Sequence, residues 1–100
     1  MTDIPTEFTI HGHTIKIKVV PESDRGDFGY YHDVKEEIIL AENIRDGSEL
    51  IPLTEIQIFA TMWHEIFHAF QWHSGKEFDE QEAQTYSGLI TEFFNTKKYE

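Results

Sequence analysis

The sequence predicts an α+β protein in which a small antiparallel β-sheet packs on a hairpin of two helices. Two observations carry this prediction: polarity alternates along the first half of the chain, and two segments of the second half repeat apolar residues at helical spacing. The chain has 100 residues, of which 39% are hydrophobic and 14% aromatic. That length and apolar content favour a single globular domain spanning residues 1–100.

The β-rich region is predicted at residues 7–41. Four segments with strand-like alternation form two predicted hairpins, 8–10 with 14–20 and 28–32 with 37–41. Residues 43–52 are interpreted as a loop or a short helical turn. His11 and His13 flank the first predicted turn, so both are interpreted as solvated side chains.

Two helices are predicted at about 54–74 and 79–97. Thr54 followed by Gln57 is typical of a capping box at a helix start, and Gly75 is a natural stop. The first helix is apolar around most of its circumference, which indicates that it is largely buried. The second helix begins with a predicted N-cap at Asp79, with Glu82 closing its capping box.

The first helix contains the string His64-Glu65-Ile66-Phe67-His68. Residues four apart share one helix face, so both imidazoles can bind one Zn²⁺. In catalytic sites zinc is bound by three protein ligands and one water molecule. A neighbouring carboxylate, here Glu65, can take the proton of the metal-activated water as general base. The alternative is two partly buried histidines of a core helix with a solvated glutamate between them.

A third ligand is expected at the start of the second helix. About 10 Å of helix follows His68 before Gly75, and three extended loop residues return the chain by about the same length. This places Glu80 level with His68, and makes Glu80 the predicted third ligand. Glu82 is the reserve ligand, and the alternative for Glu80 is a solvated first-turn glutamate favoured by the helix dipole.

His64-Glu65-x-x-His68, then Glu80-x-x-Ala83 and Tyr86-Ser87, resembles the pattern of the Glu-zincins. The closest resemblance is to small phage-associated metallopeptidases of the ImmA/IrrE type, and it covers roughly residues 28–94. It implies a zincin-type helical hairpin, zinc held by His64, His68 and Glu80, and Glu65 as the base.

The same resemblance implies that an edge strand receives the substrate in extended form by main-chain pairing. Residues 37–41 are the candidate strand. Four side chains are candidate oxyanion donors, although each is more often an ordinary sheet or helix-end residue: Tyr30, Tyr31, His32 and His73.

Composition excludes several classes of function. A formal charge of −11 disfavours binding to nucleic acid, and the absence of cysteine excludes thiolate zinc sites. No apolar run approaches the length of a membrane span, and no leader-like segment opens the chain. We expect a cytoplasmic protein with no membrane partner, of phage or prophage origin if the resemblance holds.

The predicted function is a zinc metallopeptidase that acts on a peptide or protein substrate. The competing hypothesis is a regulatory protein that keeps the zinc site but lacks activity and works by contact with a partner. A purely structural site would have four protein ligands, with His73 or Glu82 as the fourth, whereas an open fourth position favours the enzyme.

Overall fold

A computed structural model describes residues 4–98 and confirms the α+β class. The described chain forms a five-stranded sheet and two helices. In chain order the elements are β1 (Glu7–Ile10), β2 (His13–Glu22), β3 (Gly29–His32), β4 (Glu37–Asp46), β5 (Glu49–Pro52), α1 (Glu55–His73) and α2 (Glu80–Thr96). Within residues 4–98, neither helix is both long and apolar enough to cross a membrane.

The sheet is mixed, so the prediction of an antiparallel sheet is wrong in one pairing. The strands run in the order β1-β2-β4-β3, and β2 pairs with β4 in parallel, while β5 pairs with β4 further along. The register sets Ile17 opposite Ile38. This pairing places the apolar residues of the two longest strands side by side on the buried face of the sheet, which two separate hairpins would not achieve.

Residues 43–52 form strand structure, so their interpretation as a loop or helical turn is wrong. β4 continues to Asp46, and β5 returns antiparallel to it with Ile44 opposite Ile51. The turn between them uses Gly47 at φ 63°, a conformation that favours glycine. The polar residues that suggested a loop belong to the exposed end of this hairpin.

Both helices begin where the sequence predicts. The Thr54 side chain accepts a hydrogen bond from the Gln57 N–H, and the Gln57 side chain accepts one from the Thr54 N–H, which completes the capping box. Asp79 caps α2 by accepting from the Glu82 N–H at 3.0 Å. Because each cap joins residues only three positions apart, it can be predicted from the sequence without knowledge of the tertiary structure.

The core lies between the sheet and α1. The apolar face of the sheet packs against the inner face of α1, and the shared cluster comprises Ile15, Ile17, Tyr31, Ile38, Leu40, Phe59, Met62, Ile66 and Ala69. α2 packs on α1 rather than on the sheet. Its buried residues are small, Ala83, Ser87 and Thr91, and their spacing of four lets the two helices approach closely.

The tightest backbone approach in this arrangement is at Gly29, on β3. A Cβ added there would lie 2.5 Å from the Ile39 carbonyl oxygen and 2.9 Å from Thr61 Cγ2. A glycine is therefore required where β3 passes between β4 and α1.

We expect Gly29→Ala to lower the free energy of unfolding by about 1–3 kcal/mol, the range for forced overpacking. Gly88→Ala is the matched control, because a Cβ at this helical position meets nothing within 4 Å. It should raise stability by about 0.5–1 kcal/mol. Denaturant unfolding with excess chelator measures both, and equal stability of Gly29→Ala and wild type would contradict the packing described.

Candidate metal centre

Three side chains from the two helices converge on one point. Glu80 Oε2 lies 3.1 Å from His64 Nε2, and Glu80 Oε1 lies 2.7 Å from His68 Nε2. The two Nε2 atoms are 3.2 Å apart. The structure thus brings together the three side chains that the sequence predicts as metal ligands.

The side chain of Gln71 fixes which nitrogen of His68 carries a proton. The Asp79 main chain sets the orientation of the Gln71 amide, because the Asp79 N–H donates to Gln71 Oε1 and the Asp79 carbonyl accepts from Gln71 Nε2, both at 3.1 Å. Gln71 Oε1 therefore faces His68 Nδ1 as an acceptor at 2.9 Å. His68 Nδ1 carries a proton, so Nε2 is the nitrogen whose lone pair could bind a metal ion.

At these distances the two histidine nitrogens can donate hydrogen bonds to the Glu80 carboxylate, and the same three groups can instead direct their electron pairs at one cation. Around zinc with bonds of about 2.0–2.1 Å, tetrahedral ligand atoms lie about 3.3 Å from one another. The observed separations of 2.7–3.2 Å are close to that spacing, so two imidazoles and one carboxylate fit a zinc ion here.

Glu82 is held away from this point, and its predicted capping-box role is wrong. Its carboxylate accepts from Gln71 Nε2 at 3.0 Å and lies 3.6 Å from Lys76 Nζ. The Asp79 N–H, which a capping box would give to Glu82, is bound by Gln71 instead. Among residues 4–98, no fourth side chain joins the converging group, which leaves one side of the centre open.

Glu65 lies beside the centre in a buried position, with 8% of its surface exposed. Burial, with a smaller contribution from the carboxylates of Glu80 and Asp27, raises the pKa of Glu65 to about 8. The main-chain N–H of Tyr31 and the guanidinium of Arg25 act in the opposite direction. A buried carboxyl whose pKa is shifted toward neutrality is common in active sites.

The centre opens into a cavity of about 660 Å³, a volume within the usual range for ligand sites. Its walls come from both helices and from residues 25–31, including β3. The three converging side chains and Glu65 line it together with Arg25, Asp27 and Tyr31. A substrate would therefore meet the open side of the centre and the carboxyl of Glu65 in one cavity.

The strand beside this cavity is β3, so the prediction that residues 37–41 form the receiving edge is wrong. That segment of β4 lies inside the sheet, with β2 on one side and β3 on the other. β3 has β4 as its neighbour and ends the strand order of the described sheet. The Phe28 carbonyl accepts from the Ala41 N–H, so by alternation Gly29 and Tyr31 direct their main-chain groups away from β4.

The candidate oxyanion donors separate into two groups. Tyr30 and Tyr31 line the cavity, whereas His32 and His73 do not. His32 Nδ1 accepts from the Lys35 N–H at 3.2 Å. His73 lies 3.2 Å from Glu36 in a different cluster, so its interpretation as an oxyanion donor or fourth ligand of this centre is wrong.

Two contributions were missed by the sequence analysis. Gln71 carried a signal, since it is a polar residue on the buried face of α1 and follows His68 by three positions. Arg25 carried none, because it belongs to a turn-rich segment. Its guanidinium lies 3.8 Å from the centre of the Tyr30 ring, which places a positive charge at the cavity wall.

No family model, curated protein or solved structure matches this chain. The geometry of the centre and its cavity is therefore the basis for assigning a function.

We expect Gln71→Ala to weaken zinc binding about 10–100-fold, the usual effect of losing a partner that orients a ligand. Gln84→Ala is the matched control, since Gln84 also lines the cavity but makes no hydrogen bond to the ligand histidines. Competition with a chromophoric chelator measures the affinity, and long-range ¹H–¹⁵N spectra report the protonated nitrogen of His68. Equal affinities for Gln71→Ala and Gln84→Ala would refute the role given to Gln71.

Proposed function

We propose that this protein is a zinc-dependent hydrolase that cleaves peptide bonds. The observation that supports the proposal is the convergence of His64 Nε2, His68 Nε2 and the Glu80 carboxylate within 2.7–3.2 Å at the wall of an open cavity. When bound, zinc acts as a Lewis acid that polarises a carbonyl and acidifies water. Three protein ligands with an open side are typical of catalytic rather than structural zinc.

Glu65 is the proposed general base. It lies in the same cavity as the proposed ligands but is not one of them. Its pKa of about 8 belongs to the protein without metal, and the positive charge of a zinc ion held beside it would lower that pKa, so that the ionised carboxylate could accept the proton of the attacking water. The Tyr31 N–H, donated to the Glu65 carboxylate, holds that side chain in position. The same proton can then be passed to the nitrogen of the departing amine.

A peptide is the proposed substrate because a strand borders the cavity. β3 has a side that no strand occupies in the described chain, and Gly29 offers a main-chain donor and acceptor on that side. An extended peptide pairing there would run past the metal ligands. This arrangement agrees with the resemblance to the ImmA/IrrE-type Glu-zincins. The proposal therefore includes a zincin-type packing of the helical hairpin.

Replacement of the base tests the proposal. Glu65→Gln should bind as much zinc as wild type and lose at least about 100-fold in peptide cleavage, because the amide cannot accept the proton. Cleavage is measured against a broad peptide library by mass spectrometry, and zinc by elemental analysis. Glu92→Gln, which makes the same chemical change at an exposed site on α2 outside the cavity, should keep full activity.

Cleavage that survives in Glu65→Gln would show that another group acts as base or that a contaminant is responsible. Zinc bound by wild type without cleavage of any library member would favour the second candidate function, a zinc-binding regulatory protein. One feature supports that alternative: α2 exposes three large apolar side chains at helical spacing, Tyr86, Leu89 and Phe93. A partner helix could cover them.

A further inference from the structure

A second group of metal-binding side chains lies at the far end of α1. His13 is the first residue of β2, Glu36 precedes β4, and His73 is the last residue of α1. His13 Nδ1 and His73 Nε2 lie 3.0 and 3.2 Å from the same atom, Glu36 Oε1. The two imidazole rings are 4.8 Å apart, centre to centre, so His13 is not simply solvated as the sequence suggested.

The parallel pairing of β2 and β4 creates this group. Parallel strands begin at the same end of a sheet, and the register sets Lys16 opposite Glu37. The Lys16 N–H also donates to the Glu36 carbonyl at 3.0 Å, which fixes the backbone of Glu36 against β2. His13 and Glu36 are therefore adjacent, and the end of α1 supplies His73.

The buried histidine of the group lacks a hydrogen bond. The side chain of His73 is only 9% exposed, and its Nε2 atom has no hydrogen-bond partner among residues 4–98. Glu36 Oε1 is near enough at 3.2 Å, but the two atoms are not aligned for donation. Two ligands of one metal show this relation, since each directs its electron pair at the ion rather than at the other.

We propose that His13, Glu36 and His73 bind a second Zn²⁺, separate from the candidate centre. Two imidazoles and one carboxylate favour zinc over Ca²⁺ or Mg²⁺, which prefer oxygen ligands. The His13 side chain is 55% exposed, so water can complete the coordination. The ion joins the starts of β2 and β4 to the end of α1, and its binding is independent of the proposed peptidase activity.

Zinc counting with paired variants tests this site in the full-length protein. The chain is dialysed against Zn²⁺ and analysed for zinc per chain, with excess Mg²⁺ present throughout. Wild type should hold two ions. His13→Asn and Glu36→Gln should each weaken the binding of one ion more than about 100-fold, which exceeds the effect of losing a residue that only orients a ligand. His11→Asn is the matched control, since it removes an exposed imidazole from the same turn and asparagine tolerates the φ of 49° there.

The two sites are distinguished by the double variant His64→Ala/Glu80→Ala, which leaves the buried His68 in place. It should keep one ion, and zinc should still raise its melting temperature, while adding Glu36→Gln should abolish both effects. If wild type holds one ion, and this ion is lost in the double variant but retained in His13→Asn and Glu36→Gln, the second site is overturned alone. If the single ion is instead retained in the double variant and lost in His13→Asn and Glu36→Gln, the candidate centre is overturned alone. If wild type binds no zinc, both sites are overturned.

Discussion

The double hydrogen bond between the Gln71 amide and the Asp79 main chain is the constraint on which the rest of the site depends. It joins α1 to the start of α2 and leaves one orientation for the amide, so that Gln71 Oε1 must accept from His68 Nδ1. The same contact that sets the position of α2 thereby determines which nitrogen of His68, a candidate metal ligand, carries a proton. It also delivers Glu80, the residue after Asp79, to the two histidines.

This constraint explains how a largely apolar helix accommodates buried polar groups. Glu65, His68 and Gln71 are all buried on α1, where unpaired polar groups would each cost about 1–3 kcal/mol. Gln71 makes bonds through both of its polar atoms, and Glu65 accepts the Tyr31 N–H. Glu80 is not part of this buried set, because 79% of its side chain is exposed and water solvates its charge.

The sequence predicted the local features well, and the helices are the clearest case. Thr54 and Asp79 cap helices through bonds within three residues, and the loop length from His68 sufficed to place Glu80. It failed where distant segments decide the outcome. Local alternation cannot distinguish a hairpin from the parallel pairing of β2 with β4, so the edge strand was assigned to β4 and the group at Glu36 went unrecognised. The Gln71 side chain is hydrogen-bonded to the main chain of Asp79, eight positions away, and no capping pattern in the sequence predicts a bond over that distance.

A crystal structure of the zinc-loaded protein, with anomalous diffraction recorded on both sides of the zinc absorption edge, tests the central claim most directly. The account predicts an anomalous peak within about 2.0–2.2 Å of His64 Nε2, His68 Nε2 and a Glu80 oxygen, with no fourth protein atom bound. His68 Nδ1 should remain within hydrogen-bond distance of Gln71. The absence of an anomalous peak among these three side chains would contradict the account, and so would a zinc ion bound by a fourth protein ligand.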